Sequence, residues 1–205
     1  ICSLISITLL IIFSLLKRLM TKMTEGKVIF GTTPIISNKY WANALKALGM
    51  NSETLMSTHY SINQKEDFDK YFDDVLPKIF RFKPINSVAK LFFVWFYIIN
   101  NAKVFIMPFE GVVFKKFFWR FEILLFKLNK IKTIILPYGA DSYMYSKIVD
   151  KSLQNAILIS YPNASKKEKE IEKRVFLWSK YADIVITGNM SGDGFPRWDV
   201  CIPQF

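Results

Sequence analysis

Thr133–Ile134–Ile135–Leu136–Pro137–Tyr138–Gly139–Ala140–Asp141 is the stretch that decides how this chain folds. Four residues of buried-strand type are closed by Pro137, and a Tyr-Gly-x-Asp loop opens at once. A strand ending in a polar loop with glycine puts side chains at the carboxyl edge of a sheet, where open α/β folds take their ligands. The same design occurs at Val28–Ile29–Phe30–Gly31–Thr32–Thr33–Pro34 and at Ile184–Val185–Ile186–Thr187–Gly188–Asn189. Three such edges in one chain imply a ligand-binding α/β domain.

Outward from these edges, strand and helix patterns alternate after Gly26. Strands are expected at Lys27–Phe30, Glu53–Ser57, Lys103–Met107, Thr133–Leu136 and Ile184–Thr187. The first helix is capped by Ser37, turns Trp41, Ala44, Leu45 and Leu48 inward and stops at Gly49. A second follows the capping-box spacing of Ser61 and Gln64 and buries Phe68, Tyr71, Phe72 and Val75. Pro77 and Pro84 bracket a connection to an apolar helix over residues 86–99, and a basic aromatic helix covers 114–128. Ser165 and Glu168 open a last helix with Ile171, Val175, Trp178 and Ala182 on one face. The alternation predicts a Rossmann-like, mostly parallel sheet flanked by helices over residues 27–199.

Composition narrows the partners. A chain of 205 residues with 51% hydrophobic and 16% aromatic content is not a disordered one. Its net charge of +11 attracts anions: nucleic acid, an anionic membrane face or phosphorylated small molecules. Cys2 and Cys201 form neither a disulfide framework nor a metal-ligand spacing, and His59 is the single histidine, so no metal site is expected.

Residues Ile1 to Leu16 are almost wholly apolar and run into Lys17, Arg18 and Lys22. The run is shorter than the roughly 20 residues that span a bilayer. A few residues upstream would complete a spanning helix, with the basic flank holding the rest in the cytoplasm. A buried helix is the alternative, and a signal peptide fits less well because the charges follow the apolar run. Residues 1–22 are thus expected to be an apolar membrane-anchor or interfacial helix. Residues 200–205 carry no stop signal and are expected to begin a connection to a further domain.

Several clusters could carry chemistry. Gly31 and Thr32 precede a helix start, which favours an anionic group; a plain strand–helix turn fits equally well. Neither a G-x-G-x-x-G fingerprint nor a P-loop is present, so dinucleotide or ATP binding is not indicated. In the Tyr138–Asp141 loop, Gly139 lets backbone approach a ligand, Tyr138 donates a hydrogen bond, and Asp141 serves as base or hydroxyl anchor. Asp141 capping the next segment is the alternative. Ser191–Gly192–Asp193–Gly194 with Arg197–Trp198–Asp199 offers Arg197 as a phosphate clamp, or only a turn held by Asp193. Phe114, Phe117, Phe118 and Phe121 among Lys115, Lys116, Arg120 and Lys127 read as an interfacial helix or as a core helix with a basic outer face. RNA binding through these residues lacks any accompanying RNA-binding module.

With these residues in place, the chain resembles the N-terminal half of a GT-B-fold, family-four-like retaining glycosyltransferase of bacterial surface-polysaccharide synthesis. Gly31–Thr32–Thr33–Pro34 with Tyr40–Trp41–Ala42–Asn43–Ala44–Leu45–Lys46–Ala47–Leu48–Gly49 is similar to that fold's opening strand, loop and helix. Tyr138–Gly139–Ala140–Asp141 resembles its strand-end His-Gly-x-Asp element, with Tyr138 where many relatives carry histidine. Ser179 to Gly188 resembles the passage before its interdomain region.

The resemblance implies a hexosyltransferase-type reaction from a nucleotide-sugar to a glycan or lipid-linked acceptor, with no other cofactor. Asp141 would be the catalytic residue. Tyr138, Gly139, Tyr143, Asp193 and Arg197 would bind the acceptor, and Gly31 and Thr32 would lie near the donor phosphates. The donor domain with its glutamate pair would be a separate C-terminal partner, in cis or in trans, without which this half is inactive. An anionic membrane surface, at the cytoplasmic face of a bacterial inner membrane, is the expected location, and nucleic acid is not an expected partner. The alternative is a non-catalytic membrane-anchored subunit that recruits a donor-binding domain.

Overall fold

The computed structural model describes residues 2–20, 26–80, 86–188 and 192–202; Lys22, Pro84, Asn189 and Ser191 lie outside the described residues. Its strands are β1 Lys27–Thr32, β2 Ser52–Met56, β3 Lys70–Tyr71, β4 Ala102–Met107, β5 Lys132–Ile135, β6 Ile184–Thr187 and β7 Val200–Cys201. Its helices are α1 Cys2–Met20, α2 Ile36–Ala47, α3 Asn86–Asn101, α4 Lys115–Leu128, α5 Lys151–Ser160 and α6 Ala164–Tyr181. Among the described residues the strands form one parallel sheet in the order β3-β2-β1-β4-β5-β6-β7. The fold is therefore the Rossmann-like α/β architecture expected from the alternation. The chain divides into two compact units, one of Ile1–Ile106 with Gly111–Thr133, the other of Met107–Glu110 with Ile134–Phe205.

In the first unit β1 is buried along nearly its whole length between β2 and β4, pairing Val28 with Ser52 and Val104. The α2 helix starts at Ile36 behind Ile35, which makes no side-chain cap, so Ser37 lies inside the helix rather than at its cap. Its inner face carries Asn38 and Ala42, buried, with the expected Trp41 and Leu45 half-buried beside them and the Trp41 ring edge-on to Phe30 at 6.5 Å; Ala44 and Leu48 face outward, Leu48 78% exposed. Two polar ties hold this face. Asn38 Nδ2 donates to the Thr33 carbonyl at 3.1 Å, and Ser52 Oγ donates to the Ala42 carbonyl at 2.6 Å.

The helix expected behind Ser61 and Gln64 is replaced by one 3-10 turn, Lys65–Asp67, and the short strand β3. Gln64 and Asp67 cap that turn reciprocally. Asp69 then holds the chain against β2, its Oδ2 accepting from Thr54 N at 2.9 Å and Thr54 Oγ1 at 3.1 Å, while Asp69 N donates back to Thr54 Oγ1 at 2.7 Å. Phe68, Tyr71 and Phe72 are buried as expected, though not from a helix, and Val75 is half-buried.

The α3 helix buries Trp95 fully, its ring 4.8 Å from that of Phe126 and 6.0 Å from that of Phe114. Against α3 and α4 lies α1, buried at Ile7, Leu10 and Ser14. Asn129 Nδ2 donates to Ser14 Oγ at 2.9 Å, Lys17 Nζ donates to the Ile99 carbonyl, and the Phe13 and Phe96 rings are 4.8 Å apart. Burial lowers the Lys17 pKa. Among the described residues no helix is long and apolar enough to cross a membrane. The apolar run expected as a membrane-anchor or interfacial helix is a helix here, docked by one face on α3 and α4.

In the second unit α6 turns Ile171, Val175, Trp178 and Ala182 inward, as its spacing predicts. Its N-cap residue is Asn163 rather than Ser165. Glu168 does not close a capping box; it accepts from Ser146 N at 3.0 Å and from Ser146 Oγ. The α5 helix, absent from the sequence reading, is capped by Asp150, whose Oδ1 takes Ser152 N at 2.8 Å and Leu153 N at 3.2 Å. The two-residue strand β7 extends the sheet beyond β6.

Candidate functional site

Two loops follow strand ends, one in each unit, and each is organised around a fully buried carboxylate. In the second unit this is Asp141, 0% exposed. Its Oδ1 accepts from Tyr138 N at 2.9 Å and Gly139 N at 3.1 Å, and its Oδ2 from Phe109 N at 2.9 Å. Both oxygens are therefore engaged by backbone, and the Asp141 carbonyl takes Arg174 Nε at 2.9 Å. Burial pushes the Asp141 carboxyl up to about 6, against the lowering pull of the backbone bonds and of Arg174. Asp141 holds the loop together, and its carboxylate has no surface open to a substrate. The catalytic role expected for it meets a residue engaged in loop structure, close to the capping alternative.

Around it, Gly139 takes φ of 117°, a left-handed conformation, and a Cβ there would sit 3.1 Å from the Tyr143 hydroxyl. That contact places the half-buried Tyr143 ring against the loop backbone. Burial, with Asp141 and Tyr161 nearby, raises the Tyr143 pKa, so the phenol stays a hydrogen-bond donor at neutral pH. Tyr138, Gly139, Asp141 and Tyr143 are thus brought together in one loop.

Arg197 and Asp193 have other tasks. Arg197 Nη1 donates to the Ser179 carbonyl at 3.1 Å and the Ala182 carbonyl at 3.2 Å, and Nη2 to the Asp183 carbonyl at 2.9 Å. Its Nε and Nη2 fork onto Asp199 at 2.6–3.1 Å. All of the guanidinium edge is engaged at the C-terminal end of α6, which precedes the start of β6, opposite the strand's carboxyl end. Arg197 therefore closes a helix rather than presenting donors to a phosphate. Asp193 Oδ2 accepts Val149 N at 2.9 Å, the loop-holding alternative of the sequence reading.

In the first unit the buried carboxylate is Glu122 of α4, which sequence reading missed. Its Oε2 accepts from Val112 N at 2.9 Å and its Oε1 from Val113 N and Phe114 N, both at 2.8 Å. Burial raises its carboxyl to about 7. The lone acid in the run from Phe114 to Leu128 was the available signal, since a carboxylate on an otherwise apolar and basic helix needs donors. Thr32, 5% exposed, donates from Oγ1 to the Gly111 carbonyl at 3.1 Å. Gly31 is a packing glycine, where a Cβ would meet the Leu55 carbonyl at 2.9 Å and the Phe105 ring at 3.0 Å. The residues expected near donor phosphates thus join β1 to its neighbours and to the loop after β4. His59 is exposed, its ring edge-on to Tyr71 at 6.0 Å.

Family models, curated protein sequences and solved structures were compared with the chain. None matches it.

Proposed function

We propose that this chain is the acceptor-binding half of a glycosyltransferase, acting with a donor domain to move a sugar from a nucleotide-sugar to a glycan or lipid-linked acceptor. The observation that carries the reading is the parallel sheet with its order β3-β2-β1-β4-β5-β6-β7, whose strand-end loops after β4 and β5 are each locked by a buried carboxylate. Rigid loops at strand ends are what acceptor positioning requires, because a misplacement of about 1 Å costs about two orders of magnitude in rate. Tyr143, held against Gly139 and kept protonated, is the group that orients an acceptor hydroxyl. Asp141 acts through it, as a positioning residue for the loop.

The alternative, a membrane-bound subunit that recruits a donor-binding domain without chemistry of its own, is favoured by α1. Leu9, Ile12, Leu15 and Leu16, 46–52% exposed, lie on the side of α1 away from its buried Ile7, Leu10 and Ser14. An apolar outer stripe on a helix followed by basic residues suits an anionic membrane surface, with the helix lying in the plane of the headgroups.

Sugar transfer by the complete reading frame tests both readings. Membranes carrying the protein are given nucleotide-sugars labelled in the sugar, and label entering the lipid or glycan fraction is measured. On the first reading Tyr143→Phe lowers kcat/KM about tenfold with an unchanged thermal midpoint. Transfer that is indifferent to Tyr143 overturns its role. Absence of transfer with every donor, together with retained membrane binding, leaves the recruiting subunit.

A further inference from the structure

A cavity of about 330 Å³ opens in the second unit between Tyr143, α5 and α6. Its lining is graded. Ile157 and Ile171, both buried, form the floor; Tyr143 and Tyr161 supply aromatic walls with Ala140 and Pro162 between; Ser160, Asn163 and Lys167 carry the polar groups. The gradient follows from helical spacing. Lys167 and Ile171 stand four residues apart on one face of α6, with Asn163 at its N-cap, while Ile157 and Ser160 stand three apart on α5. Each helix thereby presents carbon to the depth of the cavity and a donor near the turn that joins them.

Position adds to this. The α6 helix leads into β6, which pairs parallel with β5, so its N-terminal end lies toward the carboxyl end of the strands, as does the Tyr138–Asp141 loop that supplies Ala140. The N-cap Asn163 makes no side-chain capping bond, so its amide is available to the cavity it lines. No acid stands in the first turn of α6, and Lys167 is the cation beside the opening.

We infer that this cavity is a binding site for a small phosphate monoester of a six-membered ring, the ring lying between Tyr143 and Tyr161 over Ile157 and Ile171 and the phosphate meeting Lys167, Asn163 and Ser160. The volume is at the small end of the range of ligand pockets and holds one such ring with its phosphate. Three donors of which one is charged suit a phosphate's three oxygens. The site stands whether or not the chain takes part in sugar transfer.

Calorimetric titration of the purified protein with phenyl phosphate, inorganic phosphate, octyl phosphate and phenyl β-glucoside is the test. Phenyl phosphate is expected to bind, more weakly as salt is raised, and inorganic phosphate and the uncharged glucoside at least tenfold more weakly. Lys167→Met is expected to weaken phenyl phosphate about tenfold, and Ala140→Trp, which fills the cavity, to abolish binding. Thermal midpoints of both variants serve as the folding control, and Asn163→Ala, exposed and uncapping nothing, is a variant whose two- to fivefold loss does not depend on their folding. Binding unaffected by all three substitutions overturns the site. Octyl phosphate binding more tightly than phenyl phosphate overturns the ring.

Discussion

Asp141 and Glu122 are carboxylates whose solvent has been replaced by backbone N–H groups. Removing such an acceptor leaves donors buried without partners, at about 1–3 kcal/mol each. Asp141→Ala is accordingly expected to lower unfolding free energy by roughly 2–4 kcal/mol in urea denaturation, and Asp141→Asn by less, because an amide oxygen still accepts. A loss below about 1 kcal/mol for the alanine variant would show that these three bonds do not hold the loop. Both acids are raised by burial, Asp141 to about 6 and Glu122 to about 7. The folded chain therefore keeps protons that the unfolded chain releases near pH 4. Stability from these groups is highest at low pH, falls as pH rises from about 4 to about 7, and levels off above that. Glu122→Gln removes one of the two titrations. Thermal midpoints between pH 5 and pH 8 should fall less steeply in that variant than in the wild type, and parallel slopes would contradict the buried titration.

At the scale of elements, α6 is fastened at its C-terminal end by Arg197, which bonds three carbonyls around Ser179–Asp183 while pairing with Asp199. Arg197→Lys keeps the charge but not the fork. Amide exchange in the last turn of α6 is expected to speed up several-fold in that variant, with the first turn unchanged; uniform exchange along the helix would rule the staple out. Five of the seven strands were legible: β1, β4, β5 and β6 are dense in β-branched and aromatic residues and run into Pro or Gly, and β2 gave a weaker pattern, whereas the two-residue strands β3 and β7 gave none. The inner face of α6 was legible because four apolar residues repeat with helical period. What escaped was decided by partners distant in sequence. The segment around Lys70–Tyr71 has helical spacing, yet Asp69 reaches Thr54, 15 residues away, and ties the backbone out straight along β2. The inner face of α2 was legible at Trp41 and Leu45 but not at Asn38, whose partner is a backbone carbonyl, and Arg197 looked like a phosphate clamp because its carbonyl partners carry no side-chain signature. In the site, Tyr138, Gly139 and Tyr143 could be found from one local motif. Glu122 announced itself only as the lone acid of its helix, because its donors belong to a loop that precedes that helix.

At the scale of the whole molecule, the outer side of α1 departs from an ordinary water-facing surface. Scattered apolar side chains are normal on proteins, but four aliphatic residues on one helix face form a patch that seeks cover. Flotation with vesicles rich in anionic lipid is expected to carry the protein upward, and a double substitution, Leu9→Asp with Ile12→Asp, to leave it at the bottom. Because Ile7, Leu10 and Ser14 hold the inner side, the variant should keep its thermal midpoint within a few degrees. Flotation that survives the double substitution would place the membrane contact elsewhere.

The division of the chain into units has a consequence for anyone who would take the protein apart. Met107–Glu110 belongs to the second unit, although the residues before it and the 23 that follow, Gly111–Thr133, belong to the first. Phe109 lies in that short excursion, its N–H on Asp141 and its fully buried ring 5.1 Å from that of Phe195. A gene cut at residue 134 would therefore yield a C-terminal fragment lacking Phe109, with Asp141 missing a donor and Phe195 missing a neighbour. During synthesis the four residues leave the ribosome well before the chain they pack against. No single scissor stroke in the gene follows the seam in the structure.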